Sequence, residues 1–72
     1  MNKFNVNKLL LSKWTAINPI NKQKHFLVTE LVKDESEHRV ESCVLEAVIN
    51  NDQFKIDWQE LKNSDCWIQG WQ

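Results

Sequence analysis

Apolar and polar side chains alternate most strictly in the C-terminal third of the chain. Phe54, Ile56 and Trp58 alternate there with Lys55 and Asp57. A period of two residues is typical of a β-strand that buries one face and exposes the other. The pattern therefore predicts a strand at this point, with its aromatic and aliphatic side chains turned toward a core.

Two longer segments before it also predict strands. The segment 25–33 is rich in β-branched and aromatic residues, which favour extended structure. In the segment 39–50, alternate residues from Cys43 to Ile49 would share one apolar face of a strand. A helix over 40–49 is the alternative, because leucine, glutamate and alanine favour helices. The short polar connections on either side favour a meander of strands instead.

Polar clusters and proline predict where these segments end. The runs 34–37 and 50–52 consist of acidic, serine and asparagine residues, which favour turns. The segment 9–17 fits a short helix that leads into a strand, and the Asn-Pro pair at 18–19 should stop it. Proline has no N–H to donate, and it disfavours a helical conformation in the residue before it.

A helix start signal follows the alternating strand. Asp57 and Glu60 are spaced as in a capping box, in which Asp57 would accept a hydrogen bond from the amide of Glu60. Asn63 can end such a turn in left-handed geometry. One short helical turn is therefore predicted here. The tail that contains Trp67 and Trp71 is expected to fold back and close the core.

These elements together predict the fold class. We expect a single small α+β, β-rich domain with a three- to four-stranded antiparallel sheet and one or two short helical turns, for which a curled, SH3-like sheet is one form that fits. Residues 1–11 are expected to be an N-terminal arm, and residues 12–72 the compact domain. A chain of 72 residues has a thin core. Most of its four tryptophans and three phenylalanines are expected to fill that core.

Charge is distributed unevenly along the chain. Residues 1–29 carry five lysines and no acidic residue, whereas residues 30–72 carry all ten acidic residues against four basic ones. The first part therefore has a net charge of +5 and the second part −6. Two interpretations remain open. The basic part could be a contact surface for nucleic acid or an acidic partner, or the two parts could pack as complementary surfaces.

The sequence favours a cytoplasmic location. No segment approaches the roughly 20 apolar residues that a membrane span requires, and the N-terminus lacks the hydrophobic stretch of a signal peptide. Cys43 and Cys66 are the only cysteines. Two thiols are too few for a disulfide scaffold, which agrees with a reducing compartment.

The candidates for catalysis or metal binding are weak. Cys43, Cys66, His25 and His38 are the available thiol and imidazole ligands, but no C-x-x-C pair is present. Cys43 with either histidine would be the only nucleophile and base to consider, and no pair of carboxylates has suitable spacing. We therefore predict no enzymatic activity, no metal and no cofactor.

Binding is the remaining class of function, and two kinds of partner are considered. The first is a protein, contacted by Trp67 and Trp71 near the C-terminus, because tryptophan is enriched at interface hot spots. The alternative is RNA or single-stranded nucleic acid, in which lysines neutralise phosphates and aromatic rings stack on bases. The residues proposed for that alternative are Lys13, Trp14, Lys22, Lys24 and Phe26. A competing interpretation places the two rings of this set in the core and leaves the lysines as a solvated rim.

Several blocks of sequence carry a resemblance to a known family. They are Ser12-Lys13-Trp14-Thr15-Ala16, Pro19, Lys24-His25-Phe26, Cys43-Val44-Leu45-Glu46-Ala47-Val48, Ile56-Asp57-Trp58-Gln59-Glu60-Leu61-Lys62 and Trp67-Ile68-Gln69-Gly70-Trp71. In this order they resemble the small tryptophan-rich bacterial proteins of uncharacterised function. Gln59 departs from the pattern, in which a basic residue is more typical. The resemblance implies a compact cytoplasmic domain, and it carries over no catalytic or binding residue.

Overall fold

The computed structural model describes the backbone of residues 1–72 and every side chain except that of Ile20. Five strands form one antiparallel sheet: β1 Lys13–Ile20, β2 Gln23–Lys33, β3 Val40–Ala47, β4 Gln53–Asp57 and β5 Trp67–Gln69. Their order across the sheet is β4-β3-β2-β1-β5. The first four strands form a meander, and the fifth returns to pair with the first. Short 3-10 helices occupy Val6–Lys8 and Trp58–Lys62.

The predicted antiparallel sheet is confirmed, but it has five strands rather than three or four. The strands expected at 25–33, at 39–50 and from Phe54 to Trp58 are present as β2, β3 and β4. The helical alternative for 40–49 is wrong, since Val40–Ala47 is a strand paired on both sides. The additional strand is the short β5, which three residues form against β1.

Strand β1 passes through Pro19, so the prediction that the Asn-Pro pair stops the segment is wrong. The ladder between β1 and β2 has a register shift between Thr15 and Ile20. On its other side, β1 pairs with β5 only at residues 14–16. Proline is tolerated where a strand is bulged or lies at an edge, because no ladder hydrogen bond needs its missing N–H.

Both helical segments in the described chain are 3-10 helices, so the α component of the predicted α+β class is not confirmed. Asp57 caps the second of them, but its side chain accepts from the amide of Gln59 at 2.9 Å rather than from that of Glu60. Asn63 ends it in an extended conformation, with φ −75° and ψ 102°, and not in left-handed geometry. An N-cap side chain can accept from the amide of the second or the third helical residue, and Gln59 is the second residue of this helix. No helix of the described chain is long and apolar enough to cross a membrane.

The core lies on one face of the sheet, called here the inner face. Its buried side chains are Leu9, Trp14, Phe26, Val28, Cys43, Leu45, Ala47 and Leu61. The second 3-10 helix supplies Leu61 from above the sheet. Trp14 donates its indole N–H to Ser12 Oγ at 2.8 Å. Trp58 donates its indole N–H to the carbonyl of Val40 at 2.9 Å. These bonds satisfy the one polar atom of each large ring and allow the rest of it to be buried.

Residues of the predicted N-terminal arm contribute to this core. Leu9 is only 1% exposed. The ring of Phe4 packs edge-on against Trp14 at 5.4 Å and against Trp58 at 6.0 Å between centroids. The Asn2 side chain donates to the carbonyls of Leu61 and Trp67. The segment 1–11 is thus packed on the domain. The boundary at residue 12 stays a prediction.

Phe26 connects the two edge strands across the inner face. Its ring meets Phe54 of β4 at 6.1 Å and Trp67 of β5 at 5.3 Å, both in edge-to-face geometry. In the described chain β4 pairs only with β3, and β5 only with β1. The sheet must therefore curl for one central ring to reach both edges. Register shifts near Val28 and Val32 in the long strand β2 provide places for that curl.

We predict that Leu9→Ala lowers the free energy of unfolding by about 2–5 kcal/mol, because it leaves a cavity in a core with few other side chains. Leu10→Ala is the matched control, since Leu10 is 47% exposed; its effect should stay within about 0.5 kcal/mol. Urea denaturation followed by tryptophan fluorescence measures both. Equal effects of the two substitutions would show that residues 1–11 do not belong to the core.

We also predict that Lys22→Gly stabilises the protein by up to about 1 kcal/mol. Asn21 and Lys22 have φ of 55° and 64° between the paired residues at positions 20 and 23, which is the geometry of a type I′ hairpin turn. Glycine adopts positive φ without strain, whereas lysine does not. Lys24→Gly, on the extended part of β2, should instead destabilise by about 0.5–1 kcal/mol. Thermal unfolding of both variants tests the difference in sign.

Candidate binding groove

An open groove of about 530 Å³ lies on the inner face between the two edge strands. Strand β4 supplies one wall and β5 the other, and the ring of Phe26 lies between them. Its apolar lining consists of Ala16, Phe26, Leu45, Phe54, Ile56 and Trp67. Phe54 is exposed, while Trp67 and Ile56 are half-buried. The curl of the sheet therefore leaves aromatic and aliphatic surface accessible on the face that also carries the core.

One end of the groove is polar and carries a negative charge. Asn18, Asn21, Gln23 and Asp52 line this end. Gln23 is buried, and its amide nitrogen donates to Asp52 at 2.8 Å and to Asn50 at 3.3 Å. These bonds hold the carboxylate of Asp52 in place. Asp52 is the one acidic or basic residue in the described lining of the groove.

The two tryptophans predicted to contact a protein lie on opposite faces of the sheet. Trp67 lines the groove on the inner face. Trp71 lies on the outer face, where it is 42% exposed and donates its indole N–H to the carbonyl of Phe26 at 3.0 Å. The tail reaches the outer face through Gly70, whose φ of 83° turns the chain. Trp67 and Trp71 therefore cannot form one contact surface.

The side chain of Thr15 anchors the tail on the outer face. Thr15 is buried, its hydroxyl donates to the carbonyl of Gly70 at 2.7 Å, and it accepts from the amide of Gln72 at 3.0 Å. His25 Nε2 lies 2.8 Å from the carbonyl oxygen of Gln72. Lys13 Nζ lies 4.8 Å from the centroid of the Trp71 ring, within the range of a cation–π contact.

The nucleic-acid set from the sequence does not form the predicted constellation. Trp14 is 1% exposed and Phe26 is 6% exposed. Both rings belong to the core, so neither can stack on a base. Their burial agrees with the competing interpretation, which places these two rings in the core. Lys13, Lys22 and Lys24 are all exposed. Lys22 lies at the tip of the β1–β2 hairpin, whereas Lys13 lies at the other end of β1.

A second recess was not expected from the sequence. It has a volume of about 380 Å³ and lies where β1 begins and β5 ends. Lys8 and Lys13 are its charged residues, and no aspartate or glutamate is in its described lining. We call this recess the basic pocket. The sequence predicts that Lys8 belongs to the N-terminal arm, and the run of lysines without acidic residues in the segment 1–29 is the one signal that points to this end of the chain.

Cys43 is a core residue and not an exposed nucleophile. Its side chain is fully buried on the inner face. Burial, together with the negative charges of Asp57 and Glu60, raises the pKa of the Cys43 thiol to about 11. Cys66 is exposed and lines the groove. Among the described residues, no three histidine, cysteine or acidic side chains come together as metal ligands would.

Comparison with protein families matches residues 12–72 to the family described as "Tryptophan-rich protein (DUF2389)". The match spans all five strands and the second 3-10 helix. No curated protein and no solved structure matches the chain.

We predict that native Cys43 resists thiol reagents at pH 8, since the thiolate is the reactive form and a pKa of about 11 keeps it protonated. The variant Cys66→Ser isolates Cys43, whose reaction with iodoacetamide should require opening of the folded structure and should be far slower than in the urea-unfolded variant. Wild-type protein should be labelled quickly at one site, Cys66. Rapid labelling of the folded Cys66→Ser variant would contradict the buried placement of Cys43.

Proposed function

We propose that this chain, which belongs to the DUF2389 family of tryptophan-rich proteins of unknown function, is a non-catalytic interaction module. Its groove binds a peptide segment of a protein partner. The observation that carries the proposal is the open groove with aromatic walls on both sides of Phe26. Ligand sites are typically concave, largely apolar and about 300–1,000 Å³ in volume, and 530 Å³ falls within that range.

The charge of the groove indicates what kind of segment it accepts. Apolar walls favour a large aliphatic or aromatic side chain. The carboxylate of Asp52 at the polar end favours a lysine or arginine next to that side chain. The same carboxylate opposes the binding of phosphate groups. A short apolar and basic peptide is therefore the occupant that fits.

The edge strand β4 favours an extended peptide as the occupant, rather than a second copy of this chain. Its outer edge is unpaired in the described structure, and an extended peptide can add to such an edge. Self-pairing of two copies of β4 about its centre would place Lys55 directly opposite Lys55 of the second copy. Like charges that face each other across a strand pair are destabilising. The occupant is thus a segment of another protein.

We also propose that the sheet has the curled, SH3-like form expected from the sequence. Its support is the curl that brings Phe54 and Trp67 onto Phe26 and leaves an aromatic groove between the edge strands. Domains of the SH3 class bind peptides in aromatic-lined grooves. The burial and raised pKa of Cys43 favour a structural role for the one nucleophile considered, which supports a binding function over catalysis.

The test begins with a random heptapeptide library selected against the folded protein. We predict enrichment of peptides in which a large apolar residue neighbours lysine or arginine. A fluorophore on Cys66, which is exposed and lines the groove, reports the affinity of each selected peptide. Phe54→Ala and Asp52→Lys should each weaken binding about ten-fold or more, because they remove apolar contact and reverse the charge.

Val48→Ala is the matched control for these variants. Val48 is as exposed as Phe54 but lies outside the groove lining, so its loss should leave affinity unchanged. Circular dichroism of all variants confirms that they are folded. No enrichment of the predicted peptides would contradict the proposal, as would selected peptides that bind Phe54→Ala and Asp52→Lys as well as they bind the wild type.

A further inference from the structure

The basic pocket has the electrostatic character of an anion site. Lys8 and Lys13 are both exposed and reach it from the first 3-10 helix region and from the start of β1. Its other described lining residues are apolar or uncharged, and residues 1–29 contain no acid. The acidic residue Glu46 lies on the same face as Lys13, because both residues pair with Leu27 of the strand between them. Its carboxylate oxygens already accept from Asn51 and Gln53. The charged residues in the described lining of the pocket are therefore two lysines, and no acidic side chain in that lining opposes a phosphate group.

An exposed and ordered aromatic ring lies beside this pocket. Lys13 belongs to the pocket and also covers the ring of Trp71, at 4.8 Å from its centroid. The ring is held by its N–H bond to the carbonyl of Phe26 and by the bonds of Thr15 to Gly70 and Gln72. A ring fixed in this way loses little conformational entropy when a ligand stacks on it.

We infer that Lys8, Lys13 and Trp71 form a contact site for single-stranded nucleic acid, distinct from the groove. Phosphates bind in the basic pocket between Lys8 and Lys13. The ammonium group of Lys13 moves from the ring of Trp71 to a phosphate, and a base stacks on the ring in its place. Lysines that neutralise phosphates beside an exposed aromatic ring are the arrangement used by proteins that bind single strands.

The site is expected to tolerate different base sequences. The side-chain amide of Gln69, a polar lining residue of the pocket, already donates to the carbonyl of Lys3. The hydroxyl of Ser12 donates to the carbonyl of Leu9 and accepts from Trp14. These groups are occupied within the protein, so stacking and charge remain as the main interactions. Stacking accepts any base, because every base has a π face.

The test is fluorescence anisotropy of a labelled twelve-nucleotide oligouridine, measured over a series of salt concentrations. Lys8→Gln and Lys13→Gln should each weaken binding several-fold and lower the slope of log affinity against log salt by about 0.7. Trp71→Leu should weaken binding about ten-fold and leave that slope unchanged, whereas Trp71→Phe, which keeps a ring, should retain most of the affinity. Lys33→Gln is the matched control, since Lys33 is an exposed lysine at the far end of β2.

Two competitors separate this site from a general attraction to anions. Inorganic polyphosphate and poly-glutamate of equal charge should displace the oligonucleotide only at much higher concentrations. Phe54→Ala should not change oligonucleotide binding, so failure of the groove proposal would leave this result intact. Equal binding of either polyanion, equal affinities of Trp71→Leu and Trp71→Phe, or an effect of Lys33→Gln as large as that of Lys13→Gln would overturn the inference.

Discussion

The structure depends on the position of one ring, that of Phe26 at the centre of the sheet. Phe26 pairs with Trp14 on one side and Ala47 on the other, and its ring contacts aromatic side chains from both edge strands. No ladder of hydrogen bonds joins β4 to β5 in the described chain. Apolar contact through Phe26 is therefore what brings the two edges over the same face. The groove is the space that this incomplete closure leaves.

The uneven charge of the sequence has a spatial counterpart in the two recesses. Asp52, from the acidic part of the chain, lies at the end of the groove. Lys8 and Lys13, from the basic part, line the pocket at the start of β1. The charged side chains that line the two recesses are therefore of opposite sign.

Several features could be predicted because they depend on local chemistry. The alternation around Phe54 predicted a strand, and the polar run with Asn51 predicted a turn, where Asn51 indeed has a φ of 64°. Other features depend on distant neighbours. Pro19 fits within β1 because β1 pairs with β5 only at residues 14–16. Asn63 is extended, and its side chain accepts from the amide of Asp65 in the turn that leads to β5. Leu9 and Leu10 have the same side chain, yet packing buries the first and exposes the second.

The sequence by itself determined a small antiparallel β domain, most of its strands and turns, and a core built on aromatic rings. These follow from periodicity, turn propensity and composition, which act over a few residues. Only the tertiary structure decided which rings are accessible. It buried Trp14 and Phe26, set Trp67 in the groove, and placed Trp71 on the outer face beside Lys13. The physical reason is that accessibility depends on the curl and pairing of strands far apart in the chain, which no local pattern encodes.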